Sequence, residues 1–163
     1  MNTPSMRAAL AQVGMIAAAS AALGSPARAQ AAPVKMSVTI AGKNQELRGT
    51  GQCGHEPQAS IYGTRAALWL IEYHNGASRI SLSYWRPKAT GAEDQFQLSV
   101  TRGSASHVIS TVKGGSPTGS GHSTFRPTAM GGRFEVSGKA GDGAPLQVTI
   151  ECARFGGITA EGG

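Results

Sequence analysis

Residues 65–86 read RAALWLIEYHNGASRISLSYWR, and the fold class turns on this stretch. Arg65–Tyr73 is the strongest apolar run after residue 31. A run this short fits a buried strand or two turns of helix, because periodicity does not separate the two. The residues after it decide the matter. Asn75-Gly76 stands between this run and Arg79–Trp85, and Asn-Gly between apolar segments is the strongest short hairpin signal. Arg79–Trp85 then alternates with a period of two, placing Ile80, Leu82 and Tyr84 on one face and Trp85 on the other. Ala66–Tyr73 is therefore read as a strand, hairpinned to the next through Asn75-Gly76. That turn sets Glu72 across from Arg79, an exposed ion pair.

Working outward, the same alternation recurs. Lys35–Ile40 opposes Met36, Val38 and Ile40 to Ser37 and Thr39, Ala41–Asn44 turns, and Gln45–Cys53 returns. Gly54–Thr64, with Pro57 inside it, reads as a loop, and Pro87–Asp94 as a polar connection. Gln95–Thr101, His107–Lys113, Arg133–Ser137 and Leu146–Cys152 read as further strands, with turns at Arg102-Gly103-Ser104 and Asp142-Gly143. Gly114–Thr124 (GGSPTGSGHST) reads as a flexible loop, and the glycine-rich tail from Ala153 is expected to fray. Short strands at regular spacing predict an all-β domain, here an antiparallel two-sheet β-sandwich.

The two cysteines fit that frame. Leu47, Gly49, Gly51 and Cys53 share one face of an extended segment, and Leu146, Val148, Ile150 and Cys152 share one face of the last strand. Both thiols are thus in phase with inward rows. An even count in an exported chain predicts a Cys53–Cys152 disulfide that closes the domain end to end.

Residues 1–31 have the layout of a secretory signal peptide. Arg7 supplies the positive start, Ala8–Leu23 is uncharged and apolar, and Gly24-Ser25-Pro26 breaks the run. Ala27-Arg28-Ala29 and Ala29-Gln30-Ala31 both offer small-x-small cleavage sites. Without an Arg-Arg pair the general secretory route is expected, delivering residues 32–163 to the periplasm or outside the cell. The run falls short of the ~20 apolar residues that a membrane span needs, so no span is expected after cleavage.

Charge distribution argues against a nucleic-acid partner. The chain has 15 Lys and Arg against 9 Asp and Glu, a formal charge of +6, and loss of Arg7 and Arg28 with the leader leaves 13 − 9 = +4. These bases are scattered with no run of three, whereas a nucleic-acid binder concentrates charge on one element.

The chemical motifs are incomplete. Gly114 and Gly119 have P-loop spacing, but Ser120 stands where lysine is needed. Gly121-His122-Ser123-Thr124-Phe125 has Phe125 where a nucleophile elbow needs glycine. Glu93 and Asp94 are adjacent, so an extended chain points them apart. His55, His74, His107 and His122 contain no close pair, although His55 and His122 lie on two long loops that folding could bring together as metal ligands. No catalytic residue, metal or cofactor is assigned. Trp69, Tyr73, Tyr84 and Trp85 concentrate aromatics in one hairpin. Core packing is the first use for such residues; Trp85, Trp69 and Tyr84 are the candidate ligand contacts, Trp85 foremost.

Val38-Thr39-Ile40-Ala41-Gly42-Lys43 followed by Gly49-Thr50-Gly51-Gln52-Cys53, and at the other end Phe134–Gly141 followed by Leu146–Cys152, carry a family likeness. In these segments the chain resembles the mycobacterial lipoprotein antigen family. The resemblance covers the two ends and not the middle. It implies a small β-rich cell-envelope protein that acts as an antigen or adhesin and not as an enzyme. The family's lipid-carrying cysteine has no counterpart here, so lipid anchoring is not implied. The sequence expectation is thus a non-enzymatic exported binding module whose partner is an unknown envelope or host-surface component. A periplasmic carrier of a hydrophobic ligand and a small metalloprotein are the alternatives.

Overall fold

The computed structural model describes residues 30–158. The expected leader therefore lies outside the described residues, apart from Gln30 and Ala31. Among the described residues there are strands and no helix: β1 Gln30–Ile40, β2 Lys43–Ile61, β3 Thr64–Asn75, β4 Ser78–Pro87, β5 Gln95–Arg102, β6 Ala105–Ser110, β7 Ser120–Pro127, β8 Gly132–Lys139, β9 Pro145–Cys152 and β10 Gly156–Gly157.

The expected two-sheet sandwich gives way to one continuous sheet that curls into a nearly closed barrel. Its order is β6-β5-β4-β3-β2-β1-β9-β8-β7, with β10 added to β2. The first strand is bonded on both sides, antiparallel to β2 and to β9, so no gap divides the strands into two layers. Every ladder along this path is antiparallel. Nine alternating strands cannot close on themselves with every neighbour antiparallel, so β6 and β7 run the same way. The seam falls between them. It is bridged by Ser110 and Thr118, whose backbone N–H groups each donate to the other's carbonyl at 2.8 and 3.0 Å, and by Gly141 N–H donating to the Val108 carbonyl at 2.9 Å. A 2.7 Å contact from His107 Nδ1 to Asp142 Oδ2 spans the same seam.

Barrel closure requires strands to tilt and stagger, and β2 carries much of that stagger. Residues 43–53 pair with β1, residues 52–61 pair with β3, and only Gln52 and Cys53 are flanked by both. The segment expected as a loop from Gly54 is thus the second half of β2, with its register shift between Glu56 and Ala59. Pro57 sits in that irregularity, where its missing N–H costs no ladder bond. On the inward side, Gly49 leaves room for the Tyr73 ring, which lies 3.3 Å from where a Cβ would stand. The Tyr73 hydroxyl donates to the Arg48 carbonyl at 3.2 Å.

The β3–β4 hairpin forms as expected, but its turn is one residue later. Asn75 pairs with Ser78, and Gly76 takes the left-handed turn position with φ of 55°. This register sets Trp69 against Tyr84, Ile71 against Leu82 and Tyr73 against Ile80, apolar against apolar at each inward rung. Glu72 consequently faces Ser81 and not Arg79, and Arg79 Nε donates instead to His74 Nδ1 at 3.3 Å. His74 belongs to β3.

Two other expectations are corrected. Ser120–Thr124, expected within the flexible loop 114–124, is the first part of β7, so the connection is shorter. Its polar sequence hid the strand because one face looks to solvent. Residues 153–158 do not fray: they run as a strap, with Ala153, Phe155 and Ile158 N–H groups donating to the carbonyls of Pro33, Met130 and His55.

The interior is filled by side chains from all nine strands, including Met36, Ile71, Leu82, Phe96, Leu98, Phe134 and Ile150. Cys53 and Cys152 are joined within it, their Cα atoms 6.3 Å apart, so the bridge links the two strands that flank β1. A second, smaller apolar group lies on the outer face of β2–β4, where Leu68, Leu70 and Trp85 are capped by Ala59 and Ile158, and Trp85 also touches the neighbouring Ile61, Ala66 and Val112.

Candidate functional site

One end of the barrel holds most of its aromatic side chains. Strand alternation turns Trp69 of β3, Tyr84 of β4, Phe125 of β7 and Phe134 of β8 inward, while Phe155 arrives from the strap. Phe125 stacks on Phe134 with centroids 4.5 Å apart, Trp69 meets Phe125 at 4.7 Å and Tyr84 edge-on at 5.7 Å. The imidazole of His55, inward on β2, stacks on Trp69 at 4.4 Å and 15°. Phe155 stands tilted beside it at 6.4 Å.

Outside these rings lies a recess of about 390 Å³, bounded by His55, Trp69, Phe125, Phe155 and the hairpin from Pro127 to Gly131. Met130 forms its lip, 73 % exposed. The hairpin approaches so closely that a Cβ on Gly131 would stand 2.0 Å from the Cys152 carbonyl oxygen, and one on Gly132 would overlap the Phe125 ring at 2.4 Å. Glycine at both positions lets the lip close onto the end of β9 and leaves the Phe125 ring in place.

A polar group seals the aromatic cluster on its other side. The guanidinium of Arg86 lies 5.7–5.9 Å from the ring centroids of Trp69, Tyr84 and Phe125, within cation–π range. It donates from Nη2 to Asp94 Oδ2 at 2.9 Å and to the Tyr84 hydroxyl at 3.0 Å, and Tyr84 donates in turn to Asp94. Burial, with the Asp94 carboxylate beside it, holds the Tyr84 phenol far above the ordinary tyrosine value. Burial also resists ionisation of Asp94, but hydrogen bonds from Arg86 and Tyr84 outweigh it and keep its carboxyl below the usual carboxylate value. A depressed carboxylate adds stability that is present above its unfolded pKa and disappears as pH falls through the folded value. Asp94→Asn is therefore expected to cost about 1 kcal/mol at pH 7, a figure reduced because Arg86 is partly solvated. The gap between variant and parent should narrow as pH falls below ~4, where the unfolded carboxylate protonates, and close only below the depressed folded value. Urea melts at pH 7 and pH 3 check this, and an equal gap at both would contradict it.

The sequence-derived candidates divide around this end. Trp69 lines the recess, although only 7 % exposed. Tyr84 is fully buried and spends its hydroxyl on Asp94 and Arg86, so it supports the site from beneath without reaching a ligand. Trp85 faces outward as alternation required, but it is half-buried against Leu68 and Val112 on the opposite side of the sheet from the recess. His55 joins the recess, while His122 lies on the outer face of β7, where its Nε2 is 2.9 Å from the Ser137 hydroxyl. The two histidines are not brought together, and no three His, Cys, Asp or Glu side chains converge among the described residues. Sequence reasoning did not single out Phe125, Phe155, Met130 or Arg86: the first three come from segments with weak periodicity, Arg86 lies near the end of a clearly alternating strand, and only the barrel topology gathers them.

Other surfaces offer less. Arg126, Arg133, Glu151, Lys35 and Arg48 form one register row across five strands. Arg133 bonds Glu135 at 2.8 Å and Glu151 at 2.5 Å, and with Glu46 nearby the four bases face three acids, so the face is close to neutral. A larger recess of about 750 Å³ near Tyr62 and Gln95 is walled mainly by turn segments, and its Lys113 and Glu93 satisfy each other at 3.3 Å. Toward the opposite end, Arg102 has Nε and Nη2 shielded without a partner among the described residues, a place for ordered water. No family model, curated protein or solved structure matches the chain.

Proposed function

We propose that the protein is a non-enzymatic exported binding module that takes an apolar ligand at the aromatic end of its barrel. The observation that carries this reading is the 390 Å³ recess walled by His55, Trp69, Phe125 and Phe155 and lipped by an exposed Met130. Concave, mainly aromatic surfaces are where small ligands bury most of their area, and flexible methionines suit surfaces that mould to a guest. The ligand sits at the mouth and not within the barrel, since the interior is already occupied by the core.

Export is supported by the leader-like residues 1–31 and by the disulfide, which belongs to oxidising compartments. The apolar-in, charged-out pattern is the reverse of a transmembrane barrel, whose lipid-facing band is apolar. Among the described residues no helix is long and apolar enough to cross a membrane. A non-enzymatic role is favoured because the acid beside the aromatic cluster, Asp94, is held in a structural pair with Arg86. The likeness of the two chain ends to the lipoprotein antigens points the same way.

Trp69 and Trp85 are the two tryptophans of the chain, so Trp85→Phe leaves Trp69 as the sole reporter. Cyclohexanol, transparent where tryptophan absorbs, should change Trp69 emission saturably in that variant. A strictly linear response, the same as that of the unfolded chain, would refute binding at the mouth.

A further inference from the structure

We infer that the recess selects neutral, largely apolar ligands that carry a hydrogen-bond donor, and that His55 Nε2 is the acceptor that reads it. This rests on the binding role proposed above and names the ligand class. Three observations lead to it. First, His55 Nδ1 lies 3.0 Å from the Leu68 carbonyl oxygen. A carbonyl only accepts, so Nδ1 carries the hydrogen, and in the neutral ring the lone pair is left on Nε2. Stacking on Trp69 holds the ring in that orientation.

Second, Nε2 has no hydrogen-bond partner among the described residues, and it is not among the side-chain nitrogens sealed from solvent. His55 lines the recess, so an accessible and unused acceptor stands in an aromatic wall. Thr128 Oγ1, the side-chain oxygen among the described lining residues, accepts the Gly131 N–H at 3.0 Å. Third, among the described residues no Lys, Arg, Asp or Glu lines the recess. A carboxylate entering it would lose hydration without gaining a cation, and its oxygens would meet a lone pair. Fatty acids and other anions are thereby disfavoured, whereas an alcohol or an amide N–H on an apolar frame satisfies the ring.

Cyclohexanol and cyclohexanone differ little in volume, but only the alcohol donates. Titrated at pH 8 and followed by amide shifts of the mouth, the alcohol should bind about fivefold tighter, the factor that one net hydrogen bond contributes. In His55→Phe the preference should vanish. Long-range 1H–15N spectra of the unmodified protein should show the Nδ1-protonated tautomer, with the Nε2 resonance moving on addition of the alcohol. Equal binding of both compounds at the mouth, or an Nε2-protonated ring, would overturn this inference and leave the binding role standing. Failure of both compounds to bind would overturn the two together.

Discussion

Cys53→Ser should lower the thermal midpoint by roughly 10–20 °C, the shift that ~4–5 kcal/mol produces in a domain of this size. Cys53 and Cys152 are 99 residues apart in sequence, so opening the bridge returns a long loop's worth of freedom to the unfolded chain. Part of the loss has a second source, because both positions are buried and a serine hydroxyl there lacks a partner. Reducing the unmodified protein separates the two, since it opens the loop without that serine. Thermal melts followed by circular dichroism, with and without reductant, check the prediction. Unchanged melting on reduction would mean that the bridge does not constrain the fold.

Phe134→Ala should cost about 3–5 kcal/mol, the usual range for truncating a buried aromatic residue. Phe134 is fully enclosed, with Phe125 stacked on it and Tyr84 edge-on at 5.3 Å. Its loss also removes the ring on which two walls of the recess rest, Phe125 and, at 6.2 Å, Phe155. Ligand affinity should therefore fall along with stability, even though Phe134 does not line the recess. Trp85→Phe, on the outer face, should leave affinity unchanged. Urea titration gives the first quantity and ligand titration the second. A destabilised Phe134→Ala protein with full affinity would show that the rings are not coupled.

Much of this barrel could be read from residues. Alternation located β1, β4, β5, β8 and β9, and the inward phase of Cys53 and Cys152 foretold their pairing. What stayed hidden has physical causes. Sandwich and barrel share the same period of two, and closure depends on strand stagger, a property of β2 flanked by β1 on one half and by β3 on the other. Gly54–Ile61, within the expected loop Gly54–Thr64, looked irregular because Pro57 and polar neighbours mask a strand carrying an irregularity. Ser120–Pro127 turns only Ser123 and Phe125 inward in its middle, too few to register as a pattern. The strap at 153–158 is held by backbone bonds, which leave no side-chain signature. The site follows the same rule. Trp69 stood out as an aromatic residue, yet its partners Phe125 and Phe155 are distant in sequence and meet it only once the sheet closes.

The central claim is that the aromatic end of the barrel is where this protein binds. Amide chemical-shift mapping during a cyclohexanol titration tests it most directly. The account predicts saturable shifts gathered at His55, Trp69, Met130, Gly131 and Phe155–Gly157, with the outer residues Trp85 and His122 unmoved. Shifts centred on the outer face around Leu68 and Trp85, or none that saturate, would contradict it.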